Sequence, residues 1–256
     1  MKPIHFTLAI AVISGTARAA TLFVSEGAAP NSTTGTSLSL PSGADTDWGY
    51  WHRQDSTGVS SFGATNTSNE GDRGFSVSTI GGGNVRGPGN LVTGAPFSYF
   101  DFTNGTSTGS ATATRPSGVF NTQLGSGGVT AGAGLQLSLT GINTQSLIHI
   151  WTLGFQATGS FEVFLNGSST PAFSQSVTST SVTNGKQAYL FTLDFTPDSA
   201  TDVLNIRYVM TAQTDVNAHV GFQAISISPI PEPASLALLA LGTGVLGFRR
   251  RRNWNK

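Results

Sequence analysis

Between Ala20 and Ile230 apolar residues return at every second position, in one short run after another, each run bounded by Gly, Ser, Thr, Asn or Asp. Successive side chains of an extended chain point to opposite faces, so this period marks strands with a buried face. In AYLFTLDF, Tyr189, Phe191, Leu193 and Phe195 share one face, and Ala188, Leu190, Thr192 and Asp194 the other. In DVLNIRYVM, Leu204, Ile206, Tyr208 and Met210 oppose Asn205 and Arg207. GSFEVFLNG sets Phe161, Val163 and Leu165 against Glu162, then reaches Asn166-Gly167, a pair suited to a tight hairpin turn. SLIHIWTLGF is apolar on both faces and reads as a central strand. In HVGFQAISIS, Val220, Phe222 and Ala224 are in phase while Ile225 and Ile227 are not, which requires a bulge or a two-sided strand.

No stretch of this region carries a helical period. The expected fold is therefore all-β, an antiparallel β-sandwich of jelly-roll type, with a hydrophobic helix only at the C-terminus. Alternation is cleanest after Gly134; residues 26–46 and 103–133, rich in Gly, Ser, Thr and Ala, are expected to form long loops or irregular edges. The 16 Phe residues supply a core, which sets the chain apart from disordered sequences of similar polarity. With no Cys, disulfides, thiolate zinc sites and a Cys nucleophile are excluded.

Charge separates the ends from the middle. Of the 13 basic residues, Lys2, Arg18, Arg249, Arg250, Arg251, Arg252 and Lys256 lie in the terminal segments. Between Ala20 and Ile230 six basic residues face twelve acidic ones, so the body is mildly acidic and poorly suited to nucleic acid.

The N-terminus, MKPIHFTLAIAVISGTARAA, places Lys2 before an apolar stretch from Phe6 to Ile13 and a small-x-small site at Ala17-Arg18-Ala19. That order predicts a secretory signal peptide over residues 1–19, cleaved between Ala19 and Ala20; the structural alternative is a buried N-terminal strand. At the other end, Ala234 to Phe248 contains 15 residues without a charge. As a helix they span about 22 Å, short of the roughly 30 Å of a bilayer core. Pro233 suits a first helical turn and Glu232 the positive end of the helix dipole. The four arginines would stay cytoplasmic, leaving residues 20–229 outside as the body, the topology that a signal peptide also demands.

Pro231-Glu232-Pro233, an Ala/Leu/Gly run, and the basic cluster Arg249 to Arg252 resemble, in that order and at the C-terminal end, the PEP-CTERM sorting signal. The resemblance covers residues 230–256. It implies recognition by an exosortase, a membrane-embedded cysteine protease-like enzyme. It also implies transient residence of residues 234–248 in the membrane, and a destination in the envelope or matrix of biofilm-forming Gram-negative bacteria, often beside exopolysaccharide. Ile230 stands where the signal frequently has Val. An ordinary, uncleaved C-terminal anchor is the alternative. FTPDSATDVLNIRYVMT with VGFQAISIS is similar, more weakly, to the closing strands of carbohydrate-binding-module-like jelly rolls.

Within the body, chemistry is sparse. His52, His149 and His219 show no metal-ligand spacing, and His149 inside an apolar strand reads as structural. A glycosidase needs two positioned carboxylates; Glu162 and Asp194 can be named, but nothing in the sequence pairs them. Gly81-Gly82-Gly83 opens no helix and so is a loop, not a phosphate cradle. In DTDWGYWHRQD an extended chain puts Trp48, Tyr50 and His52 on one face and Trp51 and Arg53 on the other. These rings offer either a core face, with Trp51 at an edge, or a sugar-stacking platform of Trp48, Tyr50 and Trp51. Asp45 with Asp47, and Glu70 with Asp72, fit a structural calcium site or Asx-type turns equally well. Asn31, Asn66, Asn104 and Asn166 head N-x-S/T triplets.

The expectation is thus a non-enzymatic exported envelope or matrix protein with no cofactor, whose partners are an exosortase, the membrane and extracellular polysaccharide. The alternatives are a carbohydrate-binding module and a polysaccharide hydrolase.

Overall fold

The structure, a computed structural model, describes residues 20–28, 38–40, 46–51, 65–69, 73–87, 100–103, 110–114, 118–121, 131–179 and 186–230. Among these the chain is all-β, without a helix. The strands are β1 (Thr21–Ala28), β2 (Leu38–Ser39), β3 (Asp47–Trp51), β4 (Thr65–Asn69), β5 (Gly74–Ile80), β6 (Val85–Arg86), β7 (Phe100–Thr103), β8 (Ser110–Thr114), β9 (Val119–Asn121), β10 (Gly134–Thr140), β11 (Ser146–Phe155), β12 (Ala157–Leu165), β13 (Phe173–Thr178), β14 (Lys186–Thr196), β15 (Leu204–Gln213) and β16 (His219–Pro229). The segment expected to form a hydrophobic C-terminal helix lies outside the described residues.

An eight-stranded sheet runs β1-β14-β11-β16-β3-β4, with β9 also on β16 and β6 on β9; a five-stranded sheet runs β13-β12-β15-β10-β5. All pairs in both are antiparallel. A small sheet, β2-β7-β8, contains the one parallel pair among the described strands, β2 with β7.

The two large sheets meet across one apolar core in a sandwich-like arrangement. Phe161 of β12 stacks on Phe191 of β14 with ring centroids 3.6 Å apart, and Tyr208 of β15 meets Phe222 of β16 at 6.3 Å. The alternating sets read from the sequence supply this core: Phe161 and Val163; Phe191, Leu193 and Phe195; and Leu204, Ile206, Tyr208 and Met210 are all buried in it. At the edge, Gln175 of β13 donates a hydrogen bond to Glu26 of β1, and the Tyr189 hydroxyl donates to the Thr178 carbonyl at 2.6 Å. Burial raises the Glu26 pKa, and burial together with the Glu26 charge raises that of Tyr189.

Asn166 and Gly167 both take positive φ, 50° and 71°, and Ser168 N–H donates to the Leu165 carbonyl at 2.9 Å. That is the type I′ turn whose twist matches the flanking strands. The phase break in the last strand is a bulge. β11 pairs Trp151 with Ala224 but Thr152 with Phe222, so Gln223 is the extra residue. Upstream, Val220 and Phe222 face the main core; past the bulge Ile225 and Ile227 do, and Ala224 turns to the other face.

Two expectations are refined. Residues 26–46 and 103–133, expected as long loops or irregular edges, hold edge strands in the end of β1, β2 and β8, but also β9, which pairs between β16 and β6 and whose Val119, Phe120 and Asn121 are buried. Their short apolar content falls below what periodicity detects, and pairing to distant strands supplies the rest. Trp51, in turn, is not at an edge. It lies in the main core, while Trp48 and Tyr50, on the opposite face of β3, lie in a second cluster with Leu40, Phe100, Trp151, Leu153, Ala188 and Ala224. Phe100, on the small sheet, meets Trp151 edge-on at 5.2 Å, so a third layer locally covers the eight-stranded sheet.

Candidate functional site

The last described strand leads straight to Pro231-Glu232-Pro233. β16 is an interior strand, bonded to β11 on one side and to β3 and β9 on the other. Its ladder runs to Pro229, opposite Ser146, and one residue later Ile230 N–H donates to the Gln145 carbonyl at 2.8 Å. Pro231, Glu232 and Pro233, residues 234–248, and Arg249 to Arg252 lie outside the described residues. What the structure fixes is the point of departure, one residue before Pro231.

The surroundings of that point are built by strand ends. Gln145 Nε2 donates to Asp194 Oδ1 at 2.8 Å across the start of β11 and the end of β14. Nearby, the loop from β14 to β15 folds onto Asp202. Its carboxylate accepts from the N–H groups of Asp198 (2.8 Å) and Ser199 (3.2 Å) and from Asn166 Nδ2 (3.0 Å). Val203 N–H donates in turn to Asn166 Oδ1 at 2.8 Å. Burial opposes the Asp202 charge, but these donors outweigh it and hold its pKa below the ordinary carboxylate value. Asn166, Gly167, Thr201, Asp202, Val203 and Asn205 line a shallow open depression here. Its acid is already satisfied by three donors, so the arrangement locks two turns together. Sequence reading found the Asn166-Gly167 turn but not Asp202, whose role depends on a loop 36 residues away.

The other candidate residues are dispersed. Ala19 and His52 lie outside the described residues; Ala20 is half-buried against the main core. Trp48, Tyr50 and Trp51 are 0%, 4% and 2% exposed, and Trp48 stacks on Tyr50 at 6.2 Å. Rings closed off in this way present no face to a sugar. Glu162 is on the outward face of the five-stranded sheet and Asp194 on the outward face of the eight-stranded one, so the core separates them. His149 sits on the outer face of β11, 3.4 Å from Ser226 Oγ, and burial lowers its pKa. Asp47 is fully buried and ion-paired with Arg73 at 3.4 Å; Asp45, Glu70 and Asp72 lie outside the described residues. Gly81, Gly82 and Gly83 all take positive φ in the link from β5 to β6, and Asn121 Nδ2 holds the Gly82 carbonyl at 2.8 Å. Of the N-x-S/T triplets, Asn166 has its amide engaged in the turn lock, and Asn66 falls in β4; Asn31 and Asn104 lie outside the described residues. Among the described residues, no three His, Asp or Glu side chains converge as metal ligands, and no helix is long and apolar enough to cross a membrane.

Residues 229–252 match the PEP-CTERM protein-sorting motif. No curated protein matches the chain. The chain therefore carries a PEP-CTERM sorting motif, which implies an exosortase as processing partner and an exported, envelope-associated protein.

Proposed function

We propose that this is a non-catalytic envelope or matrix protein of a Gram-negative bacterium. Its jelly-roll-like body, residues 20–229, is exported behind a signal peptide cleaved at Ala19-Ala20 and held through a tail that an exosortase removes. Pro231, Glu232 and Pro233 are the recognition element, residues 234–248 a transient membrane span, and Arg249 to Arg252 the cytoplasmic stop. The body works without a cofactor, and its environment is extracellular polysaccharide.

The observation that carries this reading is the sorting motif over residues 229–252, following an interior strand with no intervening linker. The marginal length of the apolar run supports transience: about 22 Å of helix holds poorly in a core of roughly 30 Å, which suits a segment awaiting removal. The non-catalytic assignment is supported by the opposite placement of Glu162 and Asp194, since a glycosidase pair needs carboxyl groups within about 10 Å. A sugar-binding reading through Trp48, Tyr50 and Trp51 is disfavoured by their burial.

Intact mass and location, measured in hosts with and without the exosortase, test the proposal. The expected product lacks residues 1–19 and a C-terminal piece starting near Pro233, and the C-terminal loss disappears with the enzyme. An unaltered C-terminus in the inner membrane of both hosts would overturn it and leave an ordinary tail anchor.

A further inference from the structure

The chain enters and leaves the body at one end of one sheet. Thr21, the first residue of β1, pairs with Thr196, the last of β14; Ser146, the first of β11, lies between Phe195 and Pro229. Strands β1, β14, β11 and β16 are consecutive neighbours. Three inter-strand steps therefore separate entry from exit, roughly 14 Å. The tether beyond is short. From Ile230 to Ala234, where the uncharged run begins, an extended chain covers at most about 14 Å, whereas the ten residues of β11 measure about 33 Å.

The chemistry of this end is specific. Phe23, in register with Asp194, is 70% exposed, an apolar ring able to enter the headgroup–acyl boundary. Asp194 and Asp198 are the charged side chains of its described surface, and neither attracts an anionic leaflet. The Asn166–Asp202 lock keeps the adjoining turns fixed.

We propose that this end, formed by Phe23, Gln145, Asp194, Thr196 and Ile230, is the face the body turns to the lipid surface while its tail is attached, and that only the tail holds it there. The inference rests on the reading of residues 234–248 as a transient span. Removal of the tail then frees the body, because among the described residues a single exposed ring on an acidic face is too little to hold it on the membrane.

The chain contains no Cys, so single labels can be placed cleanly. Full-length Asn143→Cys, in the exposed link between β10 and β11, and Val216→Cys, 58% exposed beside the opposite end of β16, are each labelled with a fluorophore. They are incorporated into vesicles of phosphatidylethanolamine and phosphatidylglycerol carrying a headgroup nitroxide. The expected result is several-fold stronger quenching at position 143 than at 216. Equal or reversed quenching in chains that float with the vesicles overturns the orientation. Failure to float overturns the membrane-span reading, and the inference with it. A flexible spacer of about 12 residues between Ile230 and Pro231 adds roughly 19 Å of reach. It is expected to abolish the difference while flotation persists; quenching that survives the spacer would show the end adhering on its own and refute the role of the tail.

Discussion

Replacing Trp48 with Ala separates a core role from a sugar platform. Trp48 is fully buried in the layer between β3 and the small sheet, stacked on Tyr50 at 6.2 Å with 11° between the rings. A buried Trp removes about 200 Å² from water, worth roughly 5 kcal/mol at 25 cal/mol per Å² as an upper bound. Measured truncations of buried Phe or Trp to Ala cost about 3–5 kcal/mol, and the lost ring contact falls within that range. We therefore expect Trp48→Ala to lower the unfolding free energy of the body, residues 20–230, by about 4 kcal/mol. With a urea slope of about 2 kcal/mol per molar, the midpoint falls by about 2 M at unchanged slope. Urea titration followed by far-ultraviolet circular dichroism reads both quantities, and sedimentation with the host's own exopolysaccharide reads binding. A loss below about 1 kcal/mol, together with lost polysaccharide binding, would refute the packing argument and restore the platform.

Three further outcomes follow from individual side chains. Asp202→Ala leaves the Asp198 and Ser199 N–H groups and the Asn166 amide without their acceptor, so stability should fall by about 1–3 kcal/mol. Because the folded Asp202 pKa is depressed, its contribution is present above the unfolded value of about 3.9 and is lost as pH falls below it; acid unfolding curves of the variant should lack that component. The folded His149 pKa is also depressed, so protonation favours the unfolded chain and stability should decline as pH drops below about 6.5. His149→Gln should flatten that slope, and a proton NMR titration midpoint for His149 at or above about 6.5 would refute the desolvation argument. Finally, a Cβ at Gly221 would meet the Val119 carbonyl oxygen, whereas one at Gly167 meets nothing within 4 Å. Gly167→Ala should cost only the backbone penalty of positive φ, about 1–2 kcal/mol, while Gly221→Ala should cost more and selectively raise amide exchange in β9 and β6.

How much was legible divides along the range of the interactions. The period-two phases of β12, β14 and β15, the centrality of β11, a tight hairpin turn at Asn166-Gly167 and a phase break in β16 were all readable. Each is decided within a dozen consecutive residues: alternation assigns a side chain to a face, positive φ favours Asn and Gly, and a phase break demands an extra residue. The sorting motif was legible for the same reason, since its three parts occur in order along one short segment.

What covers a face was not readable. Trp48 and Tyr50 are core because Phe100 and Leu40, from separate segments, close over the outer side of the eight-stranded sheet. Glu162 and Asp194 are separated because their strands belong to different sheets. Asp202 is a lock because the β12–β13 turn and the β14–β15 loop meet. Entry and exit share one end because β1 pairs with β14 and β16 with β11, contacts that join residues more than 60 positions apart. Local chemistry sets which way each side chain points; long-range strand pairing alone decides what it meets there, and hence whether an aromatic ring is a pillar or a platform.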